Sequence, residues 1–372
     1  MGSETCVFVT PHINQFGAEK SLVSLVSYVK QQGYEVLVIM PTNGPIVELL
    51  EEKEIPYIIE RFASIVNYSN RPRYIKGILK RIFNYFKAVK VGRTLGKRNI
   101  IFVHTNSIVT DFGVLLSKVL KCDHYQHIRE FADLDFNMTF ELGKTDLSKI
   151  QKASTKIICI SKAIENHYKY LGDNLCTIYN GVSLNSYPYV KQTKNNIEFR
   201  MVLTGRLGKE KGHYLVLDAL EYLDSIGVSN ITLDFYGSGD CEEDLKKIVN
   251  RKKLTNRVKF CGYTKIIPYN QYDVGLMCSN YEGFGRVTIE YMLAGLPVIG
   301  SNSGATPELV HDGKTGLLYK AFDYKALAAS IEALEKDRAA AQKMGEEGLK
   351  LAYSEFTEKR YLENVTNILF AR

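Results

Sequence analysis

Two carboxylates, Glu282 and Glu290, stand with seven residues between them, and a Gly-Phe-Gly turn (Gly283, Phe284, Gly285) follows the first directly. Glycines at 283 and 285 permit a sharp strand-to-helix turn whose backbone N–H groups approach an anion closely. A ligand carrying both phosphate and sugar hydroxyls would use the turn and the carboxylates together. Upstream, Thr204-Gly205-Arg206-Leu207 closes an apolar run and Lys211-Gly212 opens the next helical pattern. That puts Arg206 and Lys211 near a strand's carboxyl end and a helix amino end, where charge and dipole both favour a diphosphate. His127 ends a second apolar run, with Arg129 and Glu130 close behind; it could donate to a hydroxyl or carbonyl, or serve as a general base. Gly17, in QFGAEK, would let a substrate approach the backbone at a helix amino end. Singly, each has a plainer reading as a turn, a surface cation or a structural histidine.

Two further patterns carry less. His124 and His127 have a spacing compatible with a metal, but no cysteine or carboxylate cluster completes a site. Asp133-Leu134-Asp135 is a DxD triplet in a chain whose pattern is a parallel-sheet one, and it reads as an acidic loop.

The elements that must position these residues alternate between short apolar strands and amphipathic helices. CVFVTP, AEKSLVSLVSYVKQQG and YEVLVIM form a β-α-β unit, with Gly33 stopping the helix. Further strands are expected at IPYIIE, NIIFVHTN, HYQHIREF, TKIICIS and LCTIYNGV. A polar stretch, residues 189–198, interrupts the series as a linker, and the alternation restarts at FRMVLTGRL, ITLDFYGSG, RVKFCGYT, YDVGLMCS, PVIGSN and TGLLY. Strands without polar alternation, separated by helices, imply parallel sheets covered on both faces. The fold class is therefore α/β, with two doubly wound Rossmann-like domains expected to face a central cleft. In FYGSGD, Glu242 stands where a dinucleotide fingerprint needs its third glycine, so hydride-transfer chemistry is unsupported.

Composition bounds the rest. A length of 372 residues suits two domains, and 45% hydrophobic with 24% charged residues is ordinary for a globular chain. The seven cysteines are scattered without a Cys-x-x-Cys pair, which points to a reducing compartment and neither zinc nor disulfides. No signal peptide or bilayer-length apolar run is apparent, so a cytoplasmic location is expected. The formal charge of +7 is unevenly spread: no Asp or Glu occurs between Arg61 and Thr110. The stretch between Arg71 and Arg98 mixes basic residues with Ile75, Ile78, Leu79, Ile82, Phe83 and Phe86 on one helical face. Such a helix either lies on an anionic membrane surface or buries its apolar face in the core. No nucleic-acid motif accompanies the charge.

Taken together, QFGAE, ICISKAI, TIYNGV, TGRLGKEKG, EGFGRVTIE, AGLPVIGSNSGATPELV and DGKTGLLY resemble the retaining glycosyltransferases of family four, which have the GT-B architecture. The segments run in family order and cover nearly the whole chain. HIREFADLDF further resembles a bacterial subset associated with capsule and surface-polysaccharide assembly. The resemblance implies residues 1–188 as the acceptor-side domain, 189–356 as the donor domain and 357–372 as a helix returning to the first. It implies that Arg206 and Lys211 bind the donor diphosphate, Glu290 the ribose and Glu282 the donor sugar. Gly283, Phe284 and Gly285 would supply backbone N–H groups, Gly17 would close on the diphosphate, His127 would stand beside the transferred sugar, and Tyr263 and Thr264 would frame the nucleobase.

The implied reaction is retaining transfer of a sugar from a nucleotide-sugar donor, with UDP the expected carrier, to a glycan or lipid-linked acceptor. No metal or other cofactor is expected, because two basic side chains can neutralise the leaving group. A non-catalytic chaperone or glycan-binding subunit would not need all four of Arg206, Lys211, Glu282 and Glu290, and a nucleotide-sugar epimerase would leave the paired glutamates unexplained. Three positions depart from the family pattern: Cys278 replaces a frequent proline, QFGAE has one glycine where many members have two, and Arg286 replaces an aliphatic residue.

Overall fold

The computed structural model describes residues 4–69, 71–184 and 198–371. The expected linker lies outside the described residues except for Glu198. Two compact units divide the chain: the first holds Met1–Asn180 and Tyr361–Arg372, the second Gly181–Arg360.

In the first unit the strands are β1 (Glu4–Val9), β2 (Glu35–Met40), β3 (Tyr57–Ile59), β4 (Val66–Asn67), β5 (Asn99–Thr105), β6 (Asp123–Ile128), β7 (Thr139–Phe140), β8 (Lys156–Cys159) and β9 (Leu175–Thr177). The helices are α1 (Gly17–Gln31), α2 (Ile46–Glu52), α3 (Tyr74–Leu95), α4 (Phe112–Leu120), α5 (Asp133–Phe136), α6 (Gly143–Gln151) and α7 (Lys162–His167). Seven strands form one sheet in the order β3-β2-β1-β5-β6-β8-β9, and β4 pairs with β7 separately. All pairings within the large sheet are parallel. Alternate residues of β1 enter different cores: Cys6 and Phe8 pack with α1, whereas Val7 and Val9 pack with α3 and α4. Both faces are therefore buried, which is why these strands read as apolar runs. Gly33, at φ +92°, ends α1 in the left-handed region as its position suggested.

The second unit contains β10 (Phe199–Thr204), β11 (Ile231–Tyr236), β12 (Val258–Gly262), β13 (Val274–Met277), β14 (Val298–Ser301) and β15 (Gly316–Tyr319). Its helices are α8 (His213–Ser225), α9 (Glu242–Arg251), α10 (Arg286–Leu293), α11 (Thr306–Leu309), α12 (Tyr324–Lys336) and α13 (Arg338–Glu355). The sheet order β12-β11-β10-β13-β14-β15 reverses direction between β10 and β13, as the first reverses between β1 and β5. Ligands of doubly wound sheets bind at such reversals, beyond the strands' carboxyl ends. A last helix, α14 (Glu358–Leu369), places Tyr361, Leu362, Val365 and Leu369 in the core of the first unit.

Helix α3 resolves the two readings of the basic stretch. Its buried residues are Gly77, Asn84, Ala88, Val91, Gly92 and Leu95. A Cβ on Gly77 would come within 2.7 Å of the Leu142 side chain, and one on Gly92 within 2.5 Å of Val119. The helix therefore packs closely through its small residues, and Ile75, Ile78, Leu79, Ile82, Phe83 and Phe86 all face outward. The apolar face is not in the core.

Candidate functional site

Three loops beyond the carboxyl ends of the second unit's strands, after β10, β12 and β13, carry predicted donor residues, and a fourth, after β14, packs against them. After β10 the chain passes through Arg206 and a tight turn, Lys209–Lys211, into α8. Gly212 caps that helix at φ +78°, and a Cβ there would lie 2.0 Å from the Cys278 carbonyl oxygen. Only glycine lets the β10 and β13 loops press together this closely. The Asn280 N–H donates to the Glu210 carbonyl at 3.0 Å, a second tie between the same loops. As a result Lys211 Nζ reaches Glu282 Oε2 at 2.8 Å, and Ser279 Oγ donates to the same oxygen at 2.8 Å.

The β14 loop fixes Glu282 from the other side. Ala305 N–H donates to its carbonyl at 2.8 Å, and a Cβ on Gly304 (φ +55°) would sit 2.5 Å from that carbonyl. Gly285, at φ +91°, then caps α10. Phe284 is buried, its ring centroid 6.1 Å from that of Phe356, so its side chain serves the core. One α10 residue, Glu290, is half-buried and accepts from Tyr269 Oη at 3.3 Å. Arg286 Nη1 donates to the Gly181 carbonyl at 2.9 Å.

Arg206 is about half exposed and donates twice to Glu210 Oε1, at 3.2 and 2.8 Å. Burial alone would raise the Glu210 carboxyl, but the hydrogen bond and charge of Arg206 outweigh it and hold the group low. Arg206 and Lys211 thus each have a partner carboxylate of their own. Tyr263 follows Gly262 with its ring 68% exposed, and Thr264 Oγ1 donates to the Ile266 carbonyl at 3.1 Å. The loop they begin ends at Tyr269, the partner of Glu290. The structure therefore brings Lys211, Glu282 and Ser279 into direct contact, and ties Glu290 to the Tyr263 loop.

The two predicted residues of the first unit sit in a different environment. Gly17 begins α1, beside exposed Phe16 and buried Glu19. His127, near the end of β6, is fully buried. Its Nδ1 lies 3.1 Å from His104 Nε2 and 3.4 Å from Arg129 Nη2. Burial first, then the charge of Arg129 and the His104 ring, hold its pKa well below the ordinary histidine range, so the ring is neutral. A guanidinium only donates, so Nδ1 accepts and the proton belongs on Nε2. Nε2 has no hydrogen-bond partner among the described residues.

Arg129 organises this cluster: Nε donates to Asn106 Oδ1 at 2.9 Å, Nη1 to Asn180 Oδ1 at 2.6 Å and Nη2 to Tyr361 Oη at 2.8 Å. Glu130 accepts from Ser107 Oγ and from the Ile108 N–H. His124 spends both ring nitrogens on hydroxyls, Thr105 and Ser154, each at 2.8 Å, so it and His127 share no ligand. The acidic triplet is likewise occupied: Asp133 Oδ1 meets His167 Nε2 at 2.7 Å, and Asp135 accepts from the Phe131 N–H at 2.9 Å. Sequence reasoning missed Ser279, Gly304, Tyr269, His104 and Tyr361 as members of these clusters. Ser279 ends the quoted YDVGLMCS and Gly304 lies inside AGLPVIGSNSGATPELV, but nothing local marked their contact with Glu282.

Comparison with known proteins follows the same division. The sequence model "Glycosyl transferases group 1" matches residues 190–351, and "Glycosyltransferase Family 4" matches residues 17–186. The capsular polysaccharide biosynthesis glycosyltransferase CapM of Staphylococcus aureus is 26% identical over 60% of this chain and 61% of its own. A Mycobacterium tuberculosis glycogen synthase is 26% identical over 56% of this chain and 51% of its own. The chain thus spans about half the length of the first curated relatives it matches. Among solved structures, Anabaena Alr3699/HepE in complex with UDP has a TM-score of 0.80 at 21% identity, covering 99% of this chain and 100% of the other. A glycosyltransferase from Rickettsia africae has a TM-score of 0.79 at 19% identity over 99% and 98% of the two chains.

Proposed function

The chain belongs to the glycosyltransferases that the group 1 and Family 4 models describe, and from that premise we propose that it moves a sugar from a nucleotide-sugar donor to a hydroxyl of a glycan or lipid-linked acceptor in surface-polysaccharide biosynthesis. The observation that carries this reading is the 2.8 Å Lys211–Glu282 pair, set among the β10, β13 and β14 loops with Arg206 on the same loop as the lysine. UDP is the expected carrier, since the Anabaena relative was solved with UDP and with UDP-glucose.

In the proposed chemistry the bond between sugar C1 and the β-phosphate oxygen breaks, and a bond from C1 to the acceptor oxygen forms on the same face. The acceptor's proton passes to the departing phosphate oxygen. Arg206 and Lys211 take up the negative charge that develops on that phosphate, so a metal has no task to perform. Glu282 accepts from hydroxyls of the donor sugar, Glu290 from the ribose, and the glycine-flanked turn offers backbone N–H groups. Gly17 gives the first unit's backbone access to a diphosphate. Neutral His127 acts as a hydrogen-bond donor from Nε2, a role that its lowered pKa suits better than that of a base protonated in turnover.

The protein is proposed to work at the cytoplasmic membrane face, held there through the basic stretch between Arg71 and Arg98. Among the described residues no helix is long and apolar enough to cross a membrane. Incubating the protein with a panel of nucleotide sugars, with and without glycan and lipid-linked acceptors, and measuring nucleotide release tests the reaction. Activity retained in both Glu282→Ala and Arg206→Ala would sink the site.

A further inference from the structure

Helix α3 turns six large apolar side chains to the outside, with Ile75 79%, Leu79 61% and Phe86 65% exposed. Beside it runs a groove of about 460 Å³, within the size range of ligand sites. Ile78, Ile82 and Phe86 of α3 line it, with Leu115 of α4 and Leu142 among the other lining residues. Its lining also includes Arg81, 3.8 Å from Asp111, and Asp146, which pairs with Lys149 at 3.0 Å.

The charges around the groove are strongly biased. Lys80 is paired with Glu141 at 2.7 Å, and Lys87 and Lys90 clamp Glu60 at 2.7 and 2.6 Å. Arg71, Arg73 and Lys76 remain exposed at the amino end of α3, with no carboxylate partner among the described residues. Tyr74 lines the groove too, so Arg71 and Arg73, just before it in the chain, stand at one end of an apolar slot, which matches a hydrocarbon chain ending in a phosphate.

Position adds a second reason. The Arg73 N–H donates to the Glu141 carbonyl at 3.0 Å, and Ile65 N–H to the Val109 carbonyl at 2.8 Å. Val109 and Asp111 belong to the segment leaving β5, and Glu141 and Leu142 join β7 to α6 within the connection from β6 to β8. The groove therefore borders the carboxyl edge of the first sheet, where doubly wound sheets take their ligands.

We propose that this groove binds the hydrocarbon chain of a phosphate-bearing lipid acceptor, with Arg71 and Arg73 receiving its phosphate. The assignment deepens the transferase reading and rests on it for the word acceptor. It makes the lipid-linked class, and not a free glycan, the substrate of the first unit.

The chain contains no tryptophan, so Phe86→Trp places the only indole in the groove. Full-length Phe86→Trp protein is titrated with decyl phosphate below its micelle concentration, with inorganic phosphate, and with vesicles of phosphatidylcholine plus phosphatidylglycerol. Decyl phosphate is expected to blue-shift the emission, and adding Ile78→Asn and Ile82→Asn to weaken that binding at least tenfold. Both side chains are about half exposed, so the fold tolerates the change, checked by an unaltered melting temperature. Inorganic phosphate is expected to leave the emission unchanged; a shift equal to that of decyl phosphate would overturn the chain slot. A shift with vesicles but not with decyl phosphate would reduce the face to a membrane rest and overturn the proposal. No shift with either would overturn it. Nucleotide release from the sugar donors with the panel of glycan and lipid-linked acceptors serves as the separate control. Its absence with every donor and acceptor alongside intact decyl phosphate binding would refute the transferase reading alone.

Discussion

The second unit holds Lys211, Glu282 and Arg206 as partly exposed charges on loops, whereas the first seals a polar cluster almost entirely. Lys211, Glu282 and Arg206 keep side-chain exposures of 30, 17 and 51%, while His104, His127 and Asn106 have none and Arg129 only 7%. An exposed pair contributes little to stability and can be exchanged for a ligand's charges. A sealed network must be satisfied in the folded protein itself, or it costs stability. The same sheet architecture thus supports a cradle open to an anion in one unit and a pre-set scaffold in the other. Substitutions should separate the two: stability lost in the first unit, activity lost in the second.

Arg129→Ala is the largest expected effect. It leaves Asn106, Asn180 and Tyr361 each short of a buried partner, at about 1–3 kcal/mol apiece, so about 3 kcal/mol or more of stability should go. Arg129→Lys should recover only part, because an ammonium cannot reach all three acceptors in the guanidinium's geometry. Urea unfolding measures this; a loss below about 1 kcal/mol would break the contrast between the units.

Lys211→Ala reverses the pattern. Its ion pair is partly solvated, so stability should move by no more than about 0.5 kcal/mol. Turnover should fall by about 10²–10³, the usual consequence of removing one preorganised electrostatic contact to a developing charge. Thermal unfolding and kcat/KM on one preparation decide it. A variant that both melts early and turns over normally would invert the roles assigned here.

Acid should find the first unit before the second. Burial pushes His124 down to about 3 and holds His104 and His127 well below the ordinary 6.5, while in the second unit His213 lies at about 4. A depressed native pKa means that the unfolded chain takes the proton first, so this stability is present above 6.5 and lost as pH falls. Asp111 acts oppositely: burial raises it from 3.8 to about 6, and below 6 its native proton offsets one histidine. The first unit then loses about two protons' worth of stability, about 2.7 kcal/mol per pH unit, against about 1.4 for the second. The carboxylates Glu60, Asp133 and Glu210, held low, contribute only below their ordinary range. Hydrogen exchange followed by mass spectrometry from pH 6.5 to 5 should show earlier loss of protection in the first unit; simultaneous loss would contradict the assignment.

The strands and the candidate turn of the second unit were each legible in the sequence because their signal is local. Strands buried on both faces are continuous apolar runs, and the glycines at 283 and 285 and the two glutamates lie within one short segment. What stayed hidden depends on contacts distant in the chain. Lys211 and Glu282 are 71 residues apart, and Arg129 and Tyr361 are 232. Periodicity identified the apolar face of α3 but not its direction, because Gly77 and Gly92 decide which side packs closely and their role is visible only beside Leu142 and Val119. For His127 the residue type left donor and base both open; the guanidinium at its Nδ1 supplies the distinction.

The smallest expected effect tests how far the open character of the second unit extends. Tyr263 stands 68% exposed at the start of the loop whose end, Tyr269, holds Glu290. If its ring stacks on the nucleobase, Tyr263→Ala forfeits about 1 kcal/mol of binding, a rise of about fivefold in KM for the nucleotide sugar. The base is the same in ground and transition states, so kcat should not change. Tyr263→Phe should be silent, because stacking needs the ring and not the hydroxyl. A fall in kcat on Tyr263→Ala would mean instead that this loop positions Glu290 through Tyr269, and Tyr269→Phe should then reproduce it. An unchanged KM would remove Tyr263 from the candidate cradle and confine the cradle to the β10, β13 and β14 loops, where the Lys211 ammonium, the Ser279 hydroxyl and the Ala305 N–H hold Glu282.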